Sequence, residues 1–136
     1  MTSDTLLLDS GVWIATWDAE DRWEASSREL AFGGGRVTGA LDLTLYEVAN
    51  TVGARWQQEQ EAIELCRSVE RRCARRLVRM DGDLIRSTIE IAVEYRLSSY
   101  DAAYVAVARR HYWQLVSTDI RDLVSQGLAI TPDAAV

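Results

Sequence analysis

Residues Thr5–Ser10 read T-L-L-L-D-S, and the fold class follows from this stretch. Three consecutive leucines make a short apolar run of the kind that forms a strand buried on both faces. Asp9 stands where that strand should end. In open α/β sheets ligands bind beyond the carboxyl ends of the strands, so an acid delivered there belongs to a candidate site. A charge at the end of a buried strand is also unfavourable unless a partner compensates it.

Working outward, G-V-W-I-A-T-W at 11–17 predicts a short helix with Trp13 and Trp17, four apart, on one face. Asp18–Leu30 reads as a polar amphipathic helix, stopped by Gly33-Gly34-Gly35. The glycines do not complete G-x-G-x-x-G, because Thr38 occupies the third glycine's place. Arg36–Leu41 is a strand candidate. Leu43–Trp56 is helical, with Leu45, Val48, Ala49, Val52 and Trp56 as its apolar stripe. Glu47 lies at the stripe's edge in a small polar column with Asn50, Thr51 and Ala54, a placement suited to a cleft.

Gln57–Arg76 is strongly helical, burying Ala62, Leu65, Cys66, Val69, Cys73 and Leu77, while Leu77–Met80 reads as either helix or strand. Asp81-Gly82-Asp83 is a turn and N-cap for a helix to Tyr95, with Ile85, Ile89 and Ala92 inward. Leu97-Ser98-Ser99 opens a further helix, Tyr100–His111. Gln114–Ser117 is a strand, Asp119–Gln126 a short helix ended by Gly127, and Leu128–Thr131 a last strand terminated by Pro132. Strands alternating with helices predict one α/β domain over residues 1–136. It should have three layers, with a mostly parallel sheet of four to five short strands between helices.

Composition narrows the function. The chain has 136 residues, 48% apolar and 26% charged, ordinary values for a single globular core. No apolar run approaches a membrane span, and M-T-S-D-T lacks the basic start and apolar stretch of a signal peptide, so the expectation is a cytoplasmic protein. Cys66 and Cys73 are seven apart on a helix, about 10 Å at roughly 1.5 Å per residue, too far for a disulfide. Both read as core-facing thiols.

All fifteen basic residues are arginine. Without lysine there is no P-loop lysine, no Schiff base and no receiver-type phosphorylation site with its partner lysine. The net charge is −6, with twelve acids and four arginines in residues 1–64 against nine acids and eleven arginines in residues 65–136. Six of those arginines lie between Arg67 and Arg79. The acidity argues against indiscriminate nucleic-acid binding, and the arginine run leaves room for a phosphate-contacting face beside the simpler reading of a solvated one.

Four carboxylates occupy suggestive positions. Asp9 ends the first strand, Glu47 lies early in the helix after the second, Asp101 opens the Tyr100–His111 helix, and Asp119 follows the Gln114–Ser117 strand. Each has a plainer reading: Asp101 completes the capping-box pattern Ser98-x-x-Asp101, Asp119 can N-cap its helix with Asp122 in the first turn, and Glu47 can be solvated. In a parallel sheet, however, strand C-termini and the helix N-termini that follow share one edge. Two carboxylates ~5 Å apart repel by roughly 3 kcal/mol at an effective dielectric of ~20, so such a cluster either holds protons or binds a hard cation. Oxygen-only ligands favour Mg²⁺ or Mn²⁺ over Zn²⁺, and a carboxylate-held Mg²⁺ serves phosphoryl transfer. Competing chemistries lack their motifs: there is no G-x-S-x-G, H-E-x-x-H or C-x-x-C, and the one histidine, His111, follows Arg109-Arg110 at a helix C-terminus, a dipole-compensating place.

L-L-L-D-S-G-V-W at 6–13, L-T-L-Y-E-V-A-N at 43–50, L-S-S-Y-D-A-A-Y-V-A-V-A at 97–108 and L-V-S-T-D at 115–119 together resemble the PIN-domain ribonucleases, above all the VapC toxins of bacterial toxin–antitoxin pairs. The resemblance implies that Asp9, Glu47, Asp101 and Asp119 are the catalytic, metal-binding acids. It places Ser10, Asn50 and Thr118 as supporting polar groups and Asp122 as an additional acid. It further implies Mg²⁺- or Mn²⁺-dependent endonucleolytic hydrolysis of RNA, tRNA or rRNA, by metal-activated water. The implied partners are a second copy in a homodimer and a VapB-type antitoxin, with no membrane. Trp13 and Trp17 would line an antitoxin groove or the dimer interface, or stack on bases. Two other classes share the acids: a non-catalytic partner-binding module, and a carboxylate-Mg²⁺ phosphatase on small phosphate esters.

Overall fold

The structure is a computed structural model describing residues 4–136. Four parallel strands form one sheet in the order β3-β2-β1-β4. They are β1 (Leu6–Leu8), β2 (Thr38–Leu41), β3 (Leu77–Val78) and β4 (Gln114–Val116). β1 is central, pairing Leu6 with Thr38 on one side and Leu6, Leu7 and Leu8 with Gln114, Leu115 and Val116 on the other. The helices are α1 (Ser10–Ala15), α2 (Glu24–Phe32), α3 (Leu43–Val48), α4 (Glu59–Cys73), α5 (Gly82–Tyr95), α6 (Ser99–His111) and α7 (Pro132–Ala135). α3 runs on into a π-helical stretch, Ala49–Arg55, and a second π-helical turn spans Ile120–Val124.

The leucine run does what its position demands. Side chains alternate along a strand, so Leu6 and Leu8 enter the half-core shared with Trp13, Leu30, Val48 and Leu65, while Leu7 enters the other with Leu41, Leu84, Leu115 and Leu123. α6 supplies much of this second half-core. Its residues Ala102–Ala108 are all buried, and the four alanines among them let the helix pack closely on more than one face. Gly39 of β2 lies under Trp113, whose ring a Cβ at that position would meet at 2.5 Å. Two arginines of the 67–79 run are structural: Arg72 Nε donates to the Ala31 carbonyl at 2.6 Å and Arg76 Nε to the Thr38 carbonyl at 2.8 Å. No helix among the described residues is long and apolar enough to cross a membrane.

Several local expectations need correction. Residues 18–23 are turns, and α2 begins only at Glu24, because Asp18 and Asp21 accept from the backbone N–H groups of Glu20 and Trp23, an alternative to helical bonding. Trp13 and Trp17 do not share an environment: α1 stops at Ala15, so Trp13 is fully buried while Trp17 is 40% exposed. On α5 the inward residues are Leu84, Thr88 and Ile91, whereas Ile85 and Ile89 face solvent. Thr88 tolerates burial because its hydroxyl donates to the Leu84 carbonyl at 2.8 Å, which lets a polar residue sit in the apolar stripe and shifts its phase. Cys73 is buried but Cys66 only partly so, and both are free thiols. Leu128–Thr131 contributes a single parallel bridge, Val116 with Ile130, and Pro132 opens α7 rather than simply ending a strand. Leu77–Val78 is strand, reached through a 3₁₀ turn at Ala74–Arg76.

Candidate active site

Because every strand of the sheet is parallel, one edge collects all the strand C-termini, and the acids arrive there by independent routes. Leu8 pairs with Val116, so the next residues, Asp9 and Ser117, leave the sheet side by side. The Asp9 amide donates to the Val116 carbonyl at 3.1 Å, and the Ser117 hydroxyl hydrogen-bonds the Asp9 side chain. Asp9 also N-caps α1, its Oδ1 accepting from Val12 N at 3.1 Å. Gly11 packs closely beside it, and a Cβ there would force the Thr118 hydroxyl to move.

After β4 the chain turns sharply. Ser117 Oγ accepts from the Asp119 amide at 2.9 Å, and Asp119 Oδ1 then accepts from Asp122 N at 2.9 Å, capping the π-helical turn. α6 leads into β4 and therefore begins at the same edge; there Ser98 Oγ accepts from Asp101 N at 3.1 Å. Asp101, Asp119 and Asp122 each offer a carboxylate oxygen within 4.8 Å of the others. Glu47 comes from α3, where its Oε1 accepts from the Tyr104 hydroxyl at 2.7 Å.

The electrostatics report the same convergence. Asp9 is only 7% exposed; burial, reinforced by the charges of Glu47 and Asp101 and opposed by the Ser117 and Val12 hydrogen bonds, pushes its carboxyl up to about 7. Asp101 is pushed up to about 6, first by partial burial and then by Asp119, Asp122 and Glu47. Arg121 Nε reaches Asp122 only at 4.0 Å, in solvent, so it offsets little of this repulsion. His111 ends α6 at the terminus opposite Asp101 and stacks on Trp113 with ring centroids 4.5 Å apart.

Thus Asp101 is the hub of the cluster: Asp9, Glu47, Asp119 and Asp122 all interact with it electrostatically, Asp9 and Glu47 interact with each other, and Asp122 lies inside the tightest group with Asp101 and Asp119. Thr118 faces Gly11 next to Asp9. Asn50 is exposed beyond α3, and among the described residues no hydrogen bond joins Asn50 or Ser10 to the acids. Sequence reading missed Ser117, Thr44 and Tyr104. Spacing carried a signal for two of them: Thr44 is three before Glu47 and Tyr104 three after Asp101, so each shares a helix face with an acid.

A family model described as the PIN domain matches residues 6–124. The chain belongs to the PIN-domain family. Solved structures agree on this PIN fold. A toxin–antitoxin complex from Klebsiella pneumoniae superposes with a TM-score of 0.71 at 18% identity, covering 93% of this chain and 97% of that one. VapC20 of Mycobacterium tuberculosis, described as a sarcin–ricin loop cleaving toxin, gives 0.67 at 20% identity, covering 82% and 86%. VapBC2 from Rickettsia felis, bound to a DNA fragment from its promoter, gives 0.67 at 12% identity, covering 93% and 96%. No curated protein matches the chain. PIN nucleases use divalent metal ions, and the acidic cluster of this PIN domain suits one: the donors are all oxygen and close together, and their mutual repulsion is relieved by a hard cation.

Proposed function

We propose that the chain is a divalent-metal-dependent endoribonuclease and the toxin of a VapBC-type pair, acting in the cytoplasm. The observation that carries this reading is the approach of Asp101, Asp119 and Asp122 within 4.8 Å, with Asp9 and Glu47 coupled to them. Asp9, Glu47, Asp101 and Asp119 would hold Mg²⁺ or Mn²⁺, with Asp122 completing the acidic wall. Such a cation supplies Lewis acidity, making water more acidic and offsetting charge that builds on a phosphate. Burial raises the Asp9 carboxyl to about 7, so a cation binding there would compete with its proton. Ser117 orients Asp9 and also receives the Asp119 amide, so one side chain sets the spacing of two ligands. The description of the Mycobacterium tuberculosis relative as a toxin that cleaves the sarcin–ricin loop supports an RNA substrate.

Two surfaces support the partners. A groove of about 500 Å³ between the π-helical stretch and α4, floored by Ala49, Gly53, Ala62 and Ile63, suits an antitoxin segment, and Trp17 and Phe32 line a neighbouring cleft with Arg67 and Arg71. The exposed α5 residues Ile85, Ile89 and Val93 suit a homodimer.

The experiment is cleavage of a panel of structured RNAs, beside phosphomonoesters, by purified antitoxin-free protein. Cleavage of RNA should vanish in excess EDTA and return with Mg²⁺ or Mn²⁺. Equal cleavage in excess EDTA overturns the metal-dependent reading. Turnover of phosphomonoesters alone would assign small phosphate esters instead.

A further inference from the structure

Among the buried polar groups of this molecule, one short chain of hydroxyls ends on an acid of the site. Tyr104 is 2% exposed and Thr44 is fully buried. Thr44 Oγ1 and Tyr104 Oη lie 2.8 Å apart, and Tyr104 Oη lies 2.7 Å from Glu47 Oε1. A carboxylate only accepts, so the tyrosine hydroxyl donates to Glu47 and its own acceptor position takes the threonine proton. We propose that Tyr104 is a positioning residue for Glu47, held in this role by Thr44. The proposal rests on reading the acidic cluster as the metal site.

The physical need is specific. Glu47 is next to the last residue of the six-residue α3, which runs on into π-helical bonding. Its side chain has several rotatable bonds, and the neighbouring carboxylates push it away from the cluster. The tyrosine opposes that push with a hydrogen bond to a charged acceptor, which is stronger than one between neutral groups. Asp101 and Tyr104 are three apart on α6, so the same rigid helix carries one ligand and the tether of another. Oε1 is occupied by the tether, and among the described residues no donor is bound to Oε2, which leaves that oxygen to face a cation. An apolar packing role would need only the ring.

The test compares wild type, Tyr104→Phe, Thr44→Val, Glu47→Ala and the Tyr104→Phe/Glu47→Ala double variant. Three readouts are used: the ¹³C carboxyl resonance of Glu47 in metal-free protein, Mn²⁺ titration followed by electron paramagnetic resonance, and RNA cleavage. Tyr104→Phe should shift the Glu47 resonance and weaken Mn²⁺ binding and cleavage about tenfold each, as loss of a hydrogen bond to a charged group implies. Thr44→Val, which keeps the tyrosine and its packing, should shift the same resonance in the same direction by less. In the Glu47→Ala background, which has no acceptor for the tyrosine, Tyr104→Phe should change Mn²⁺ affinity and cleavage less than twofold. An unmoved Glu47 resonance in both Tyr104→Phe and Thr44→Val overturns the relay. Equal losses in both backgrounds overturn it too, leaving Tyr104 a packing residue. If wild-type protein neither binds Mn²⁺ nor cleaves RNA, the proposed function fails, and the carboxyl resonance still decides the relay.

Discussion

Asp9 and Asp81 do the same local job in opposite surroundings. Each N-caps a helix through Oδ1, Asp9 accepting from Val12 N at 3.1 Å and Asp81 from Leu84 N at 2.8 Å. Asp81 lies in solvent; the Leu84 amide and then Arg110, 3.1 Å away, hold its carboxyl below the usual range. Asp9 is buried among other acids and is pushed up to about 7. A cap motif read from sequence therefore says nothing about charge state. Solvent and neighbours supply that, and only the buried cap has its carboxyl raised toward neutral pH.

Substitution should break this comparison most visibly in activity. Asp9→Asn keeps the cap, since asparagine caps as well as aspartate, and should fold. Its RNA cleavage should drop by more than about 100-fold, the upper end of what even an outer-layer partner costs a metal site. Retained cleavage would remove Asp9 from the site.

Stability against pH is the next largest contrast. A carboxyl whose folded pKa is raised favours folding while protonated, so its contribution is present below about 3.8 and lost as pH rises through about 7. In EDTA, wild-type protein should lose on the order of 2–3 kcal/mol in urea unfolding between pH 5 and pH 8 from this group. Asp101 should add in the same direction. Asp9→Asn should flatten the profile; an unchanged slope would mean that Asp9 is not the titrating group.

The smallest effect belongs to the exposed cap. Asp81 has a lowered pKa, so its contribution is present above the ordinary carboxyl value and lost as pH falls through the folded one, the reverse of Asp9. Asp81→Ala should lower the unfolding temperature slightly, more at neutral than at acid pH, with RNA cleavage unchanged. A large loss of cleavage would extend the functional surface to α5.

The site was more legible than its supports. Leu6–Asp9 announced both the doubly buried strand and the acid at its end, and parallel topology alone carried Glu47, Asp101 and Asp119 to the same edge. What periodicity could not show was polar satisfaction. Thr88 takes an inward place on α5 only because its hydroxyl finds a carbonyl, and that one residue rotates the apparent stripe toward Ile85 and Ile89. Asp18 and Asp21 divert 18–23 from helix by side-chain bonds of the same kind. Ser117 and Tyr104 look like ordinary core residues in sequence because their importance lies in long-range partners, Glu47 being 57 residues from Tyr104. Asn50 carried a motif match yet remains exposed.

The pairing of Leu8 with Val116 has a consequence for how this chain can change length. It sets Asp9 and Ser117 level with each other, and the strands it joins are three residues long each, with nothing to absorb a slip. One inserted residue in either would displace its acid by about 3.3 Å along the strand and turn every following side chain to the opposite face. Insertions and deletions should therefore be tolerated in the turns at 18–23 and 33–37, and excluded from the few residues on either side of Asp9 and Asp119. Those short windows act as the molecule's ruler, and saturation insertion scanning would read its graduations directly.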